Sequence, residues 1–312
     1  RLLVADDVID LSNWREEMEQ NGTEWTLDDI IAIRTRLGLL SPTIVDCSTD
    51  EGLAAQYVRL LDSGFNIVAA NKKANTMDQA YYRELRAAES RNFRKFLYET
   101  NVAAGLPFID TLQSLIRSGD ELRTFEGILS GSLSMIFGLL EDGIPISLAV
   151  AKAMELGYTE PDPRDDLSGM GVARKLLIIA REVGLRLELK DIEVEPVVPW
   201  DVVGHVDRAD LIETLKTLDE SLSERIAAAA RSDAVLRYVA RLEDGKCRVA
   251  IEAVERSKPL GAIRDGENAL VIHTAYYQPI PMVLRGYGAG AAVTAAGVFG
   301  DLLRTVWRPL DN

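Results

Sequence analysis

The alternation of short β-branched strands with helices in the first hundred residues constrains the fold most strongly. Strands are predicted at residues 43–47, 65–70 and 95–99. Helices are predicted at residues 26–38, 57–61 and 77–90. This strand–helix–strand order is typical of a parallel sheet covered by helices. The first part of the chain is therefore predicted to be α/β, with a Rossmann-like parallel sheet.

Polar clusters follow each of the three predicted strands, at residues 47–49, 71–73 and 99–105. In an open parallel sheet the carboxyl ends of the strands meet at one edge, and ligands bind beyond that edge. One such cluster alone would be interpreted as a helix cap or a turn. Three in succession make a ligand site an equally good interpretation.

A nucleotide-binding sheet normally opens with a strand and a GxGxxG turn, whose amides contact a pyrophosphate. The first forty residues contain no such turn, and the chain begins with Arg1 rather than methionine. We therefore expect the first βα unit of the fold to be missing from this chain. We also expect the chain to be a fragment or the tail of a longer polypeptide.

The second part of the chain has a different pattern. Helices are expected to about residue 190, and strands at residues 236–242, 247–252, 268–277 and 280–284. These strands predict an antiparallel or mixed sheet in an α+β domain. A glycine-rich turn at residues 286–290 is expected to open a final helix of small residues, and glycines there would allow close approach of a ligand. The predicted domains are residues 1–105 with 290–312, residues 106–235, and a β-rich segment at 236–289 that is continuous with the second.

Charge and composition exclude several classes of partner. The net charge of −14 argues against nucleic acid and against an anionic membrane surface, because both need clustered basic residues. No apolar run reaches membrane-spanning length, and no signal peptide is visible. The two cysteines form no motif, which predicts a reduced cytoplasmic setting, or a plastid if the chain comes from a plant. Cys47, at the end of a predicted strand, is expected to be a buried thiol.

The acidic stretch GYTEPDPRDDLSGMGVARK, at residues 157–175, is the most unusual segment of the chain. Three of its polar residues suit the positive end of a new helix: Asp165, Asp166 and Ser168. Capping leaves Glu160, Asp162 and Lys175 without an explanation. Acids of this kind could also bind Mg²⁺, although no phosphate-binding loop accompanies them.

Lys175 precedes the apolar residues 176–180 and lies four residues after Gly171, so the two positions share a helical face. A lysine in this setting can extend its amine to water. If the amine is desolvated instead, its pKa falls and it can transfer protons. A carboxylate at position 171 would hold that lysine, and Gly171 provides none.

Seven motifs together resemble those of a known family: IVDCS, NKKAN, LYETNV, GILSGSLS, GYTEPDPRDDLSG, ARKLLIIARE and RGYGAGAAVTAAGV. They are similar to motifs of homoserine dehydrogenases, most closely to the dehydrogenase half of bifunctional aspartokinase–homoserine dehydrogenases. The resemblance covers essentially the whole chain. It implies reduction of aspartate semialdehyde to homoserine with NADPH or NADH, in threonine and methionine biosynthesis. It also implies a homodimer formed through residues 236–289, and an aspartokinase linked upstream.

The resemblance implies roles for individual residues. Lys72 and Lys175 would be the catalytic lysines at the reacting oxygen, with Lys72 also contacting the cofactor. Substrate would be bound by four residues: Gly131, Tyr158, Glu160 and Asp166. The cofactor would contact Ser48, Gly288 and Gly290. A monovalent cation, Na⁺ or K⁺, would be held by Glu99 and by the carbonyls of three residues: Val102, Ala104 and Leu106.

Three departures separate this chain from the family pattern. Gly171 replaces an aspartate that the family counts among its catalytic residues. The glycine-rich nucleotide loop is absent, and Ala103 replaces a glycine. Loss of a charge at the reacting centre commonly costs two to three decades in rate, so we expect impaired catalysis. The alternative interpretation is a catalytically inactive domain that serves for dimerisation in an aspartokinase fusion.

Overall fold

The computed structural model describes residues 1–5 and 8–306, and these residues form two β-sheets. The strands are β1 (Thr43–Asp46), β2 (Asn66–Ala69), β3 (Phe96–Leu97), β4 (Leu122–Ile128), β5 (Glu193–Val194), β6 (Ala234–Glu243), β7 (Lys246–Glu255), β8 (Glu267–Thr274) and β9 (Met282–Tyr287). The first three form one sheet and the other six form the second. The predicted α/β and α+β organisation is confirmed.

The α-helices of the described residues are α1 (Trp14–Asn21), α2 (Leu27–Arg36), α3 (Glu51–Ala54), α4 (Tyr57–Asp62), α5 (Lys73–Thr76), α6 (Gln79–Asn92), α7 (Phe108–Arg117), α8 (Gly131–Glu141), α9 (Ile146–Glu155), α10 (Pro163–Leu167), α11 (Met170–Glu182), α12 (Trp200–Val203), α13 (Leu211–Leu215), α14 (Asp219–Ala230) and α15 (Ala291–Val306). Within this set, no helix combines the length and the apolar character that a membrane crossing requires. The predicted final helix of small residues is α15.

The first sheet has the strand order β1-β2-β3, and all its pairs are parallel. Strand β2 is buried along its whole length, as expected for a central parallel strand that is covered on both faces. Helix α15 packs against β1 and β2, so the end of the chain returns to the first sheet. The carboxyl ends of β1 and β2 lie at one edge because the strands are parallel.

The second sheet has the order β5-β7-β6-β4-β8-β9, and only the β5–β7 pair is parallel. Its central strand β4 lies in a segment that was predicted to be helical, so that prediction is wrong for residues 122–128. Alternation of exposed and buried side chains in β4 covers seven residues, with Phe125 buried and Arg123 exposed. A pattern this short, between two helices, does not distinguish a strand from a helical turn.

Helix α11 joins the two parts of the molecule. It packs against β6 and β7 of the second sheet, and against α5 and α7 on the other side. Its apolar run is buried: Leu176, Leu177, Ile178, Ile179 and Ala180. Burial on both sides fixes this helix, and therefore any functional side chain that it carries.

Cys47 is exposed, so the prediction of a buried thiol is wrong. Strand β1 ends at Asp46, one residue earlier than predicted, and Cys47 lies in the turn that follows. The buried side chain at this strand end is Asp46, which is 2% exposed. The sequence did not indicate this because aspartate is rarely buried without partners.

Candidate functional site

Side chains at the carboxyl ends of β1 and β2 form one hydrogen-bonded network around Asp46. Its carboxylate accepts hydrogen bonds from the Tyr57 hydroxyl at 2.5 Å, from Asn71 Nδ2 at 3.0 Å, and from Ser48 N and Oγ at 2.8 and 2.7 Å. Burial opposes the charge of Asp46, but these hydrogen bonds lower its pKa. The network joins the turn that carries Ser48 to the turn that carries Lys72.

Lys72 immediately precedes α5 and is half-buried. The side chain of Asn71 accepts a hydrogen bond from Lys73 N at 3.0 Å and so shapes the start of α5. Burial lowers the pKa of Lys72, and the nearby negative charge of Glu160 opposes this effect. Glu160 belongs to the acidic loop, defined as residues 157–167 with the short helix α10. The acidic loop therefore lies near the end of the second strand, although the two are far apart in sequence.

Lys175 is the second lysine of the site. Its Nζ donates a hydrogen bond to the carbonyl oxygen of Leu129 at 2.5 Å. Burial, and after it the positive charge of Lys72, lower the pKa of Lys175 to about 7, although the carboxylates of Asp166 and Glu160 act in the opposite direction. An amine with such a pKa can both accept and donate a proton near neutral pH.

Asp166, in helix α10 of the acidic loop, lies next to the start of α8. Its two carboxylate oxygens accept hydrogen bonds from Ser132 Oγ at 2.5 Å and from Glu160 N at 2.8 Å. Burial raises its pKa, and these hydrogen bonds act in the opposite direction. Asp162, rather than Asp165, Asp166 or Ser168, provides the N-cap of α10, with Pro163 at the first helical position, where proline is tolerated. Asp166 is therefore oriented toward the lysines by specific partners and does not cap the helix.

The other two predicted substrate residues, Gly131 and Tyr158, both lie against Gly266. A Cβ on Gly131 would lie 3.2 Å from the carbonyl oxygen of Gly266 and 3.3 Å from Ala289 Cβ. The ring of Tyr158 also lies against Gly266, where a Cβ would be 2.4 Å from Cε1. The start of α8, Tyr158 and the glycine-rich turn after β9 therefore line one region.

The glycine-rich turn has a specific conformation. A Cβ on Gly288 would lie 1.9 Å from Nδ2 of Asn268, so only glycine fits beside this fully buried amide. Gly290 has φ of +115°, and a Cβ there would meet only Val293 Cγ2, at 3.8 Å. Within the described residues, neither side-chain polar atom of Asn268 has a hydrogen-bond partner. The space in front of Gly290 is open at the start of α15.

Gly171 is the second residue of α11, and nothing in its surroundings requires glycine. The position is exposed, its φ is not left-handed, and no atom lies within 4 Å of an added Cβ. A side chain here would project on the face that carries Lys175. The departure from the family pattern therefore leaves open space rather than a rearranged backbone.

Glu99 lies apart from the two lysines. Its carboxylate oxygens accept hydrogen bonds from Ile109 N at 2.6 Å and Asp110 N at 2.9 Å, at the start of α7, and its own amide donates to Asp301 Oδ2 at 2.9 Å. Burial raises the pKa of Glu99 to about 7. Among the residues that the structure describes, no group of three or more acidic, histidine or cysteine side chains could hold a metal ion.

Sequence reasoning missed several residues that shape the site, including Asp46, Asn71 and Ser132. Asp46 and Ser132 lie inside the recognised motifs IVDCS and GILSGSLS, and Asn71 begins NKKAN. The motifs located them, but only the hydrogen bonds reveal which neighbour each one orients. Asn268 gave no sequence signal, because its burial beneath Gly288 depends on the pairing of β8 with β9.

Two family models match the chain. The model described as homoserine dehydrogenase matches residues 107–303, and the model described as homoserine dehydrogenase, NAD binding domain, matches residues 2–99. A bifunctional aspartokinase/homoserine dehydrogenase of Haemophilus influenzae is 51% identical over 98% of this chain. The alignment spans 38% of that relative's length.

Solved structures show the same fold. A Candida auris protein of unknown function has a TM-score of 0.90 and 32% identity, covering 97% of this chain and 86% of that one. A hyperthermophilic archaeal homoserine dehydrogenase in complex with NADPH has a TM-score of 0.70 and 23% identity, covering 96% and 83%. With two matching family models and a curated relative of this identity, the chain belongs to the homoserine dehydrogenase family.

Proposed function

We propose that this chain interconverts homoserine and aspartate semialdehyde with a nicotinamide nucleotide. The observation that carries the proposal is the proximity of two partly buried lysines to two carboxylates. Burial and the charge of Lys72 lower the pKa of Lys175 to about 7, whereas the charges of Asp166 and Glu160 act to raise it. Family membership supports the interpretation of this arrangement as a site for oxidation of a substrate hydroxyl group, in a substrate that also carries an ammonium group.

The two lysines have complementary roles in the proposal. In the direction of oxidation, neutral Lys175 accepts the proton of the substrate hydroxyl. In the direction of reduction, the protonated form of Lys175 returns a proton to the carbonyl oxygen. Lys72 stabilises negative charge on the same oxygen and keeps Lys175 easy to deprotonate. The bound nicotinamide nucleotide would supply the hydride acceptor or donor.

The acidic loop binds the amino-acid end of the substrate in this proposal. Asp166 and Glu160 would accept hydrogen bonds from the ammonium group, which explains why acids lie beside lysines. Ser132 orients the Asp166 carboxylate through the 2.5 Å hydrogen bond. The backbone at Gly131 and the ring of Tyr158 would close the other side, because both lie against Gly266.

The residues present fit the nicotinamide end of a nucleotide. Ser48 and Lys72 lie at the carboxyl ends of β1 and β2, and Gly290 leaves open space at the start of α15. Ligands of parallel sheets bind at this edge, and helix N-termini favour anions. The match of residues 2–99 to an NAD binding domain supports the same placement. The choice between NADP and NAD remains part of the test.

Three further elements belong to the proposal. We propose an upstream aspartokinase, since the Haemophilus influenzae relative is bifunctional and the chain spans 38% of it. A homodimer through the second sheet is supported by exposed Val283 and Tyr287 on its edge strand β9. A monovalent cation would bind near Glu99 at the carbonyls of Val102, Ala104 and Leu106, beside a turn with left-handed residues.

A second candidate function is a dimerisation domain without dehydrogenase activity. Gly171 is the observation that favours it, since the position lacks the carboxylate of the family pattern. The two candidates differ in a single measurable property, which is turnover of homoserine.

The test is homoserine-dependent reduction of NADP⁺ and NAD⁺ by this chain at mildly alkaline pH. We expect turnover that Lys175→Met and Lys72→Met each abolish. Lys152→Met is the matched control. Lys152 is an exposed lysine on α9 rather than on α11, and it pairs with Glu155 of its own helix. Absence of turnover by a folded protein, with no binding of either nucleotide, would reject the dehydrogenase proposal in favour of the second candidate.

A further inference from the structure

We propose that Arg181 is a positioning residue that holds Lys72 and Lys175 at their working separation. The inference rests on the function proposed above, because it assigns both lysines to one reaction. Among the described residues, the hydrogen bonds of Arg181 go to neither the proposed substrate residues nor the proposed cofactor residues. It acts through the helix α5 that follows Lys72.

The guanidinium of Arg181 is completely hydrogen-bonded. Nη1 donates to the carbonyl oxygens of Asn75 and Met77 at 2.9 and 2.8 Å. Nε and Nη2 donate to the carbonyl of Leu187 at 3.2 and 3.0 Å, and Nη2 also donates to Glu188 Oε2 at 3.3 Å. These are five donor interactions, the full capacity of an arginine side chain. The side chain itself is fully buried.

Helix α5 depends on such contacts because it has four residues. A helix this short does not persist without tertiary partners. Asn71 binds its beginning through Lys73 N, and Arg181 binds carbonyls at its end. Lys72, which immediately precedes α5, is therefore positioned by one partner at each end of the helix.

Helix α11 fixes the distance between Lys175 and Arg181. Arg181 follows Lys175 by six residues on this helix, which corresponds to a rise of about 9 Å. The intervening residues are buried, so the helix cannot slide independently of the core. Arg181 also stacks over the Tyr82 ring at 4.9 Å, on the helix that follows α5. One rigid helix therefore carries one lysine and fixes the segment that carries the other.

This connection has an electrostatic consequence at Lys175. Burial is the largest cause of the lowered pKa of its amine. Among the charged groups, Lys72 lowers this pKa further, and Asp166 and Glu160 raise it. If α5 moves away, the effect of Lys72 weakens while the two carboxylates stay on their own loop. The pKa of Lys175 then rises. A residue with only a stabilising role would leave this pKa unchanged in the molecules that remain folded.

The test compares Arg181→Met with a matched control, Arg237→Met. Arg237 is also buried, at 1% exposure, and it donates to two backbone carbonyls and to Glu141. It lies on β6 in the second sheet, away from both lysines. Arg181→Lys is the conservative variant, because its amine can reach some of the same carbonyls.

Two measurements are made on the full chain. NMR titration of isotope-labelled lysine side chains gives the pKa of Lys175 in the free protein, assigned with Lys175→Arg. We expect Arg181→Met to raise this pKa by about half to one unit, Arg181→Lys to raise it less, and Arg237→Met to leave it unchanged. The kcat for homoserine oxidation at neutral pH should fall about tenfold in Arg181→Met, with KM for homoserine within about twofold, because the acidic loop is intact.

An unchanged Lys175 pKa in folded Arg181→Met would overturn the inference, whatever its thermal stability. An equal shift in Arg237→Met would also overturn it, because the effect would then come from general loosening of the core. If the unaltered chain does not turn over homoserine, the proposed function fails. The titration still shows whether Arg181 sets the interaction between the two lysines.

Discussion

Replacement of Gly171 by aspartate tests whether the missing carboxylate limits catalysis. The position can accept the side chain, because no atom lies within 4 Å of an added Cβ and the residue is exposed. It is the second residue of α11, where negative charge interacts favourably with the helix dipole. Any change in rate can therefore be attributed to the carboxylate rather than to a disturbed backbone.

The magnitude follows from the helical spacing between positions 171 and 175. Side chains four residues apart have Cβ atoms about 5–6 Å apart, and at an effective dielectric constant of about 20 two unit charges interact by about 3 kcal/mol. Exposure of position 171 reduces this to about half, so Gly171→Asp should raise the pKa of Lys175 by about one unit. A carboxylate next to the reacting groups should also increase kcat by about 10²–10³-fold.

The assay is kcat for homoserine oxidation at a pH above both expected pKa values, so that Lys175 is neutral in every variant. Gly171→Asn controls for the size and polarity of the new side chain. Gly171→Ala controls for helix propensity and should stabilise the fold by about 0.5–1 kcal/mol. If Gly171→Asp is no faster than these two variants, the missing carboxylate does not limit this chain, and the reasoning from the family pattern is refuted.

Three more predictions follow from the site. Homoserine oxidation should lose activity as pH falls through about 7, because protonation of Lys175 removes the proton acceptor; a flat kcat profile from pH 6 to 8 would contradict this. Ser132→Ala should raise KM for homoserine about tenfold and leave kcat nearly unchanged, because Asp166 loses its 2.5 Å hydrogen bond. In steady-state kinetics, a loss of kcat as large as the loss of kcat/KM would show instead that the serine acts in the chemical step. Gly288→Ala should destabilise the protein by about 1–3 kcal/mol, because its Cβ would lie 1.9 Å from a buried amide nitrogen. Gly300→Ala is the control, since its Cβ would meet no atom within 4 Å, and equal midpoints of thermal unfolding for the two variants would contradict the prediction.

The parallel sheet was predictable because its signals are local. Residues 43–46 and 66–69 combine β-branched side chains with polar ends, and each is bounded by a helix. The central strand β4 was not predictable in the same way. Its position between β6 and β8 depends on partners more than a hundred residues away, and its own seven residues carry a weak pattern.

The candidate site shows the same contrast between local signals, which the sequence carries, and contacts between distant residues. The strand-end clusters, the acidic loop and the motifs of the family predict Lys72, Glu160, Asp166 and Lys175 as site residues from the sequence alone. What the sequence did not indicate is how these residues are held. Arg181 lies 106 and 104 residues from Asn75 and Met77, whose carbonyls it binds at the end of α5, and no periodicity connects positions so distant. Hydrogen bonds of this kind follow from the assembled fold.

The two partly buried lysines favour the proposed dehydrogenase over a purely structural domain. Two like charges in one desolvated site oppose folding. Lowering the pKa of Lys175 from 10.5 to about 7 destabilises the folded state as the pH falls below 10.5, and the full effect is present below about pH 7. A dimerisation domain gains nothing from this arrangement, and an apolar residue at position 175 would extend the buried run that follows it. The glycine at position 171 favours the dimerisation domain instead, but it removes only one interaction, that of the missing carboxylate. Stability therefore provides an independent comparison: Lys175→Met should raise the midpoint of thermal unfolding at pH 6 while it abolishes turnover. A lower midpoint would show that the lysine contributes to the fold itself.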